Sequence, residues 1–191
     1  MTAIVTPMPV LDPPLSRDDE PLFEIIDGRK VELPPMSTLS AYVSFQLMSH
    51  VNVFVLSHDL GRSSHELLFR LPLPVDRNRR PDGAFVSFAR WPKGRPMPGH
   101  DNAWEVLPEI AVEVISPTEF AEEVLEKIDE YFRAGTSLVW VVYPNLQLMH
   151  VYESLTSIRV LTRKDTLDGG TILPGFRLPL TTIFPEEPPS L

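Results

Sequence analysis

Residues 110–143 read IAVEVISPTEFAEEVLEKIDEYFRAGTSLVWVVY, and this stretch decides the fold of the chain. Continuous apolar runs at its two ends predict buried strands over residues 110–115 and 137–143. The segment between them has helical periodicity, which predicts a helix over residues 118–134. A strand, a helix and a strand in this order predict a right-handed crossover between two parallel strands.

The helix carries its own boundary signals. Ser116 is the expected N-cap, Pro117 the first helical position and Glu119 the acid at N3. Gly135 follows the last periodic residue, so we expect it to end the helix in a left-handed conformation.

Two charged residues lie where apolar residues are expected. Glu113 interrupts the first apolar run, and Lys127 lies about 20° from Phe120 on a helical wheel, inside the apolar stripe. An unpaired buried charge is costly, so each placement requires a partner. Because the helix directly follows the strand of Glu113, we expect Lys127 to approach Glu113 from above the sheet.

The N-terminal part predicts a hairpin and a long helix. Asp27-Gly28 separates two short strand-like runs, which is a strong signal for a two-residue hairpin turn. Ser37 or Thr38 is expected to cap a helix that continues to about His58, with Tyr42 on its core face and Gly61 as a stop.

Shorter strands surround the central stretch. They are expected over residues 65–71 (with Glu66 inside), 83–87, 146–152, 158–161 and 171–173, with loops over 72–80 and 89–108. Together the elements predict an α/β (mixed α+β) fold in one domain, residues 21–184, with a central mixed sheet flanked by helices. Residues 1–20 are expected to form a flexible Pro-rich arm and residues 185–191 a flexible tail.

Composition limits the function classes. The 17 basic and 26 acidic residues give a net charge of −9, which argues against a surface coated in basic nucleic-acid contacts but permits a local basic groove. The chain has no cysteine, which excludes disulfides, thiolate chemistry and cysteine zinc sites. We see no secretory signal and no apolar run near the roughly 20 residues of a membrane span, so no membrane association and a cytoplasmic location are expected.

Asp82, Glu113 and Lys127 together match the chemistry of a hydrolytic metal site. Asp82 opens a strand and needs only to be a sheet neighbour of Glu113 to share its pocket. Two carboxylates suit a hard divalent cation such as Mg²⁺, and a lysine beside them can position water or stabilise phosphate charge. The alternative is a structural ion pair between Glu113 and Lys127 with Asp82 as a turn residue, and spacing alone leaves both open.

Three arginines, Arg77, Arg79 and Arg80, precede Asp82 and form the most basic cluster of the chain. They fit either a solvated loop or a rim that contacts phosphates beside an active site.

The motifs Pro81-Asp82, Val112–Pro117, Glu126-Lys127-Ile128 and Val139–Val142 resemble those of the Uma-two family. Phe23–Gly28 near the start and Leu173–Phe176 near the end add to the resemblance, which covers roughly residues 22–184. Members of this family are assigned as endonucleases of the PD-(D/E)xK restriction-endonuclease-like superfamily.

The resemblance implies a metal-dependent endonuclease that hydrolyses DNA through a metal-activated water, with Mg²⁺ or Mn²⁺ as cofactor. Asp82 and Glu113 would be metal ligands, and Lys127 the active-site lysine, displaced from its usual place two residues after the glutamate. Glu32, and next Glu66, are candidates for an additional acid. Because the superfamily commonly dimerises, the resemblance also implies a homodimer.

Two other functions stay open. The acidic balance, and Ser37-Thr38 where family members often have a histidine, fit a catalytically silent binding or regulatory module. A metal-dependent hydrolase of a smaller phosphoester would tolerate the negative charge better than an enzyme acting on duplex DNA.

Overall fold

A mixed six-stranded sheet lies at the centre of the computed structural model, which describes residues 21–99, 103–117 and 119–186. The predicted N-terminal arm and residues 187–191 of the predicted tail lie outside the described residues. In chain order the elements are β1 Phe23–Ile26, β2 Arg29–Glu32, α1 Thr38–Ser57, β3 Gly61–His65, β4 Phe69–Arg70, β5 Arg77–Arg79, β6 Gly83–Ser87, β7 Ile110–Val114, α2 Ala121–Ala134, β8 Leu138–Tyr143, β9 Leu148–Ser154, β10 Ser157–Thr162, β11 Thr166–Gly169 and β12 Leu173–Pro179.

The strand order of the central sheet is β10-β9-β8-β7-β6-β3. The predicted parallel pair is confirmed, since β7 and β8 run in parallel with Ile110 opposite Leu138. The other neighbours in this sheet pair antiparallel. A second sheet has the order β2-β1-β5-β4, and β11 pairs with β12 in a separate hairpin. The result is the predicted mixed α/β fold.

The two helices cover opposite faces of the central sheet. Val112, Trp140 and Val151 belong to the core on the α1 side, which β12 also covers. Ala111, Val139 and other residues of the opposite face pack on α2. Glu113 is in register with this second set, because alternate residues of a strand share a face, and its side chain is therefore directed toward α2.

The Asp27-Gly28 hairpin is confirmed. β1 and β2 pair antiparallel, and Asp27 and Gly28 have φ angles of 51° and 73°. Positive φ at both central residues is what a two-residue type I′ turn requires, and glycine adopts it without steric cost.

Helix α1 begins as predicted but turns a different side to the core. Ser37 caps it by accepting a hydrogen bond from the Ser40 backbone N–H at 3.1 Å. Val43, Leu47 and other residues four apart are buried, whereas Tyr42, predicted to face the core, is 50% exposed. The predicted stop at Gly61 is also wrong, since the helix ends at Ser57 and Gly61 opens β3.

One described helix bears on the expectation that no segment spans a membrane. Helix α1 is long enough and apolar enough to cross a membrane by length and composition alone. Its 20 residues include no charged side chain apart from the titratable His50, and scattered serines hide this in the sequence. One side of α1 is nevertheless committed to the protein core, where Val43, Leu47 and Val55 are fully buried.

Three other predicted boundaries are wrong for local reasons. The strand over residues 65–71 is broken at Glu66, whose positive φ of 48° turns the chain between β3 and β4. The loop over residues 72–80 contains β5, which is inserted between β1 and β4. The strand predicted over residues 171–173 is wrong for its first two positions, because residues 170–172 form the turn between β11 and β12, with a positive φ at Gly170, and β12 begins only at Leu173.

Helix α2 begins at Ala121, three residues later than predicted. Glu119 accepts a hydrogen bond from the Ser116 backbone N–H at 2.6 Å and donates its own N–H to the Ser116 carbonyl. The predicted capping residues therefore close a separate turn, and Phe120 occupies the N-cap position. The predicted end is confirmed, since Gly135 has a φ of 102° and its N–H donates to the Tyr131 and Phe132 carbonyls.

Gly61 permits close pairing of β3 with β6, which leads to a prediction about stability. A Cβ atom at this position would lie 2.2 Å from the Val86 carbonyl oxygen and 2.7 Å from the Ser87 Cα. Because both are backbone atoms, Gly61→Ala is expected to lower the free energy of unfolding by about 1–3 kcal/mol in chemical denaturation. Gly94→Ala, with nothing within 4 Å, is the control. Equal stability of the two variants would contradict the close approach.

Candidate functional site

Strand register places Asp82 beside Glu113. Strands β6 and β7 pair antiparallel with Gly83 opposite Val112 and Ala84 opposite Ala111. Extending this register by one residue sets Asp82 opposite Glu113, and directly opposed residues of antiparallel strands point to the same face. Asp82 also accepts a hydrogen bond through Oδ2 from the Val114 backbone N–H at 2.5 Å. The structure thus brings together the two predicted carboxylates on neighbouring strands.

Helix α2 holds Glu113 at both carboxylate oxygens. Lys127 Nζ lies 3.2 Å from Glu113 Oε2, and the Tyr131 hydroxyl donates to Glu113 Oε1 at 2.7 Å. The two donors are four residues apart and therefore lie on the same side of the helix. The predicted approach of Lys127 to Glu113 is confirmed, and Tyr131, predicted only as a core residue, provides the second contact.

The three predicted residues line one small cleft with a volume of about 50 Å³. Its walls also include Arg80, Ser116 and Glu119, and the segment around Pro34 and Met36 closes it on one side. Glu113 is almost completely buried, at 3% exposed, whereas Asp82 is partly exposed at the edge of the cleft. The cleft is therefore polar on the inside and reachable from solvent.

Ionisation of either carboxyl group, Asp82 or Glu113, is unfavourable in this arrangement. Burial, and next the charge of Glu113, raise the pKa of Asp82 well above its ordinary value, although the Val114 N–H and Lys127 oppose the shift. Burial also raises the pKa of Glu113, against the opposing effect of Lys127. Two opposed carboxylates in such a site lower the free energy of unfolding. A site with a purely structural role would be expected to raise it.

Lys127 stays charged in the cleft. Burial alone would lower its pKa, but the nearby carboxylates of Glu113, Glu24 and Glu119 outweigh burial and raise it. The pKa of Tyr131 is raised as well, by burial and then by the charge of Glu113, so its hydroxyl remains a hydrogen-bond donor. Glu113 therefore faces one permanent cation and one neutral donor.

The donor set fits a hard cation that also keeps water ligands. Asp82 and Glu113 supply carboxylate oxygens, and no donor in the described part of the chain contacts Asp82 Oδ1. Over residues 21–99, 103–117 and 119–186, no three histidine or acidic side chains come close enough to enclose a metal. Mg²⁺ is commonly bound in this way, through one or two carboxylates with waters and substrate phosphates completing the shell.

The arginine cluster is mostly structural, which corrects one of its two predicted roles. Arg79 is 4% exposed and lies 2.6 Å from both Glu24 Oε2 and Glu130 Oε2. Arg77, 13% exposed in its side chain, pairs with Asp27 and Glu130. Their charges are neutralised because β5 is inserted beside β1, so neither forms an exposed rim for phosphates.

Arg80 differs from its two neighbours because it lines the cleft. Its side chain donates to the backbone carbonyls of Phe23, at 3.0 Å, and Glu66. Carbonyl oxygens do not neutralise its charge, so Arg80 is the member of the cluster that could face a phosphate. The pKa of Arg80 is lowered, and burial of the guanidinium is the largest cause.

The two predicted additional acids lie outside the small cleft. Glu32 is exposed and lines a neighbouring groove of about 380 Å³ that also contacts Lys127. Glu66 lies at the bend after β3, where its carbonyl accepts from Arg80, and its side chain lines neither cavity. Glu119 is closer to the site than either, because it lines both the cleft and the groove.

Two buried acids behind the site, Glu24 and Glu130, were not predicted from the sequence. Glu24, 1% exposed, accepts from the Arg80 backbone N–H at 2.9 Å and from Arg79. Glu130 is 7% exposed and pairs with Arg79. The position of Glu130 could have been inferred, since it lies three residues after Lys127 and so on the same side of α2.

Comparison with known proteins identifies the family of the chain. The sequence model of the Uma2 family, described as "Putative restriction endonuclease", matches residues 11–181 of the chain. The chain belongs to the Uma2 family. None of the curated proteins matches it.

A solved structure shows that the Uma2 fold of this chain is shared. The crystal structure of a "putative nuclease belonging to DUF820" from Anabaena variabilis ATCC 29413 superposes with a TM-score of 0.72 at 19% sequence identity. The match covers 85% of this chain and 89% of the Anabaena chain. The predicted restriction-endonuclease-like fold is therefore supported by both the family and a structural neighbour.

Proposed function

We propose that this Uma2 protein is a metal-dependent endonuclease that hydrolyses phosphodiester bonds of DNA at the cleft of Asp82, Glu113 and Lys127. The observation that carries the proposal is the pair of opposed carboxylates, Glu113 buried and Asp82 at the edge of the cleft, held beside the Lys127 ammonium. Such an arrangement is costly for folding and is typical of a functional site. Membership of a family described as putative restriction endonuclease supports DNA as the substrate class.

Each residue of the cleft has a separate role in this proposal. Asp82 and Glu113 would hold Mg²⁺ or Mn²⁺ through their oxygens. When bound, such a cation lowers the pKa of a coordinated water and stabilises charge on the phosphate. Tyr131 and Lys127 keep the Glu113 carboxylate in one orientation by contacting both of its oxygens.

Lys127 is proposed to act as a charge rather than as a base. Its raised pKa keeps the ammonium protonated at neutral pH, so it stabilises negative charge that develops on the phosphate. Arg80, on the wall of the same cleft, is placed to orient a non-bridging phosphate oxygen.

Acidic side chains around the neighbouring groove favour a second candidate function. The groove contacts Glu32, Glu119, Glu123 and Glu126, and these charges repel a long polyanion. A hydrolase of a smaller phosphoester would use the same three residues without placing a nucleic-acid backbone along this groove.

The proposal is tested by incubating the protein with supercoiled plasmid, linear duplex, single-stranded DNA and a small phosphodiester, with Mg²⁺ or Mn²⁺ and with EDTA. Metal-dependent cleavage of DNA is expected, and Lys127→Met should lower its rate at least about tenfold because the transition-state charge loses its cation. Lys93→Met, which replaces an exposed lysine that pairs with Asp59 and lies over the Phe88 ring, is the matched control.

Several results would contradict the proposal. Cleavage that persists in EDTA would contradict the proposed metal dependence. Equal rates for the wild type and Lys127→Met would contradict the assignment of this cleft as the active site. Hydrolysis of the small phosphodiester without cleavage of any DNA would favour the second candidate instead.

A further inference from the structure

The neighbouring groove is continuous with the cleft. It lies between the hairpin of β1 and β2 and the first turns of α2, and its volume is about 380 Å³. Leu33, Pro34, Glu119 and Lys127 line both cavities. A substrate whose phosphate occupies the cleft therefore extends into the neighbouring groove.

An exposed aromatic ring forms part of the neighbouring groove. Phe120 lines it and is 72% exposed, more than any other large apolar side chain in the described part of the chain. Val31, from the hairpin, lines the same groove and is also exposed. Stacking of a nucleobase on an aromatic side chain is favourable, and proteins that bind single strands use it widely. The groove thus offers a surface for a planar ring next to the cleft.

Phe120 and Lys127 lie on the same side of α2. Residues seven apart differ by about 20° on the helical wheel and are separated by roughly 10 Å along the helix axis. Glu123 lies between them, three residues after Phe120 and four before Lys127. A single nucleotide is long enough to place its phosphate beside Lys127 and its base beside Phe120.

Charge assigns the phosphate to the cleft and another part of the substrate to the groove. Four acids line the neighbouring groove: Glu32, Glu119, Glu123 and Glu126. Arg79 lines it as well, but its charge is neutralised by Glu24 and Glu130. The cleft offers Arg80 and Lys127 to a phosphate. A phosphate is therefore repelled along the groove, whereas an uncharged base is not.

The acids of the neighbouring groove provide hydrogen-bond acceptors. In the part of the chain that the structure describes, the side chains of Glu123 and Glu126 form no hydrogen bond or ion pair, so their oxygens are available. An ionised carboxylate only accepts hydrogen bonds, and it pairs with the amino groups of cytosine, adenine and guanine. Thymine has no amino group. The groove therefore favours a base that carries one.

A base can occupy the neighbouring groove only when it is unpaired. In a duplex, the faces of each base are covered by stacking and its Watson–Crick edge is paired. Proteins that read these surfaces act on single strands or on bases displaced from the stack. Stacking on Phe120 and an acceptor at the base edge both require such a base.

We propose that the neighbouring groove binds an unpaired, amino-bearing nucleobase beside the phosphate that is cleaved, with the base stacked on Phe120 and its amino group donating to Glu123. This inference rests on the proposed function, which places the phosphate in the cleft. It makes single-stranded DNA the preferred substrate and Phe120 a residue that determines specificity.

Fluorescence anisotropy with labelled oligodeoxycytidine, oligothymidine and a duplex tests the stacking. Ca²⁺ replaces Mg²⁺ as a hard cation with the same preference for oxygen ligands, so that binding is measured apart from cleavage. Phe120→Ala should raise the Kd for oligodeoxycytidine about 5- to 100-fold, whereas Phe120→Tyr should bind like the wild type. Leu125→Ala is the matched control, because Leu125 is another exposed apolar residue of α2 and does not line the groove.

The choice of base tests the acceptor. The wild type is expected to bind oligodeoxycytidine at least about fivefold more tightly than oligothymidine. Glu123→Gln should bring this ratio close to one, because an amide donates to the thymine carbonyls as well as accepting. Glu122→Gln removes the same charge from the adjacent exposed residue, which does not line the groove, and it should keep the ratio of the wild type.

Equal binding of the two single strands by the wild type, equal effects of Phe120→Ala and Leu125→Ala, or tighter binding of the duplex would overturn the inference. Metal-dependent cleavage of DNA in the same preparation would leave the proposed function intact in each of these cases. The expected preference for cytosine without cleavage of any DNA would support base recognition in the groove and would contradict the nuclease function instead.

Discussion

Replacing Asp82 with asparagine is expected to abolish most cleavage and to stabilise the protein at the same time. Cleavage should fall at least about 100-fold, because the loss of groups that merely support a metal ligand already costs 10- to 100-fold. The stability should rise because asparagine removes one of two opposed buried carboxylates, while its side-chain oxygen can still accept from the Val114 N–H. A gain of about 1 kcal/mol is expected by comparison with opposed like charges in sheets.

The stability gain should depend on pH in a defined direction. The pKa of Asp82 is raised in the folded protein, so the folded state binds its proton more tightly than the unfolded state. The destabilisation caused by the Asp82 carboxylate is therefore fully present above the pKa of Asp82 in the folded protein. It shrinks as the pH falls through that value, and it is absent below the pKa of Asp82 in the unfolded chain. Without metal, the free energy of unfolding of Asp82→Asn should exceed that of the wild type most at neutral pH. The two values should converge as the pH is lowered.

Thermal unfolding in EDTA, repeated with Mg²⁺, measures both effects. A rise in Tm of about 2–4 °C corresponds to the expected gain for a chain of this size. Mg²⁺ should then raise the Tm of the wild type more than that of Asp82→Asn, because a ligand stabilises only the form that binds it. Asp129→Asn, an exposed acid on α2, serves as the control. A variant less stable than the wild type, or one that still cleaves DNA, would refute the assigned role.

Replacing Arg79 with methionine is expected to lower the free energy of unfolding by about 3–5 kcal/mol, the usual cost of removing one partner from a buried ion pair. Arg79 contacts Glu24 and Glu130 at 2.6 Å, and all three side chains are nearly inaccessible to solvent. Methionine fills much of the arginine volume but leaves the buried Glu24 without its ion-pair partner, and it leaves Glu130 with Arg77 alone. The loss is thus an electrostatic penalty more than a packing defect.

Chemical denaturation of Arg79→Met beside Arg133→Met separates these causes. Arg133 forms an exposed pair with Asp129 at 3.4 Å, and exposed pairs contribute about 0–1 kcal/mol. Similar stabilities for the two arginine variants would show that the buried network contributes little.

The sequence predicted the candidate site better than its surroundings, for physical reasons. Lys127 could be assigned to the sheet side of α2 because helical phase is a local property, and Glu113 stood out against apolar neighbours. The pairing of Arg79 with Glu24 and Glu130 joins residues 55 and 51 positions apart, and it depends on where the hairpin of β1 docks. Nothing local distinguishes a buried arginine of this kind from the solvated arginines of a loop.

The predicted boundaries and core side of the helices were wrong where one local sequence pattern is compatible with two structures. Ser116 and Glu119 satisfied the pattern of a helix start, but the same hydrogen bonds close an isolated turn before Phe120. For α1, several side chains around the helix are apolar, so periodicity did not identify the core side, and Tyr42 was assigned to the wrong face.

The two carboxylates of the cleft make different contacts with the rest of the protein. This difference determines which of them would be lost first in a relative that is no longer under selection for cleavage. Glu113 joins β7 to α2 through Lys127 and Tyr131, so its loss strands a buried ammonium and a buried hydroxyl. Asp82 repels Glu113, is attracted by Lys127 only at a distance and makes one hydrogen bond to the backbone, so its loss leaves no buried group without a partner. Drift should therefore erase Asp82 first and preserve the Glu113–Lys127 pair, which makes the residue after Pro81 the informative position for telling a working relative from a silent one.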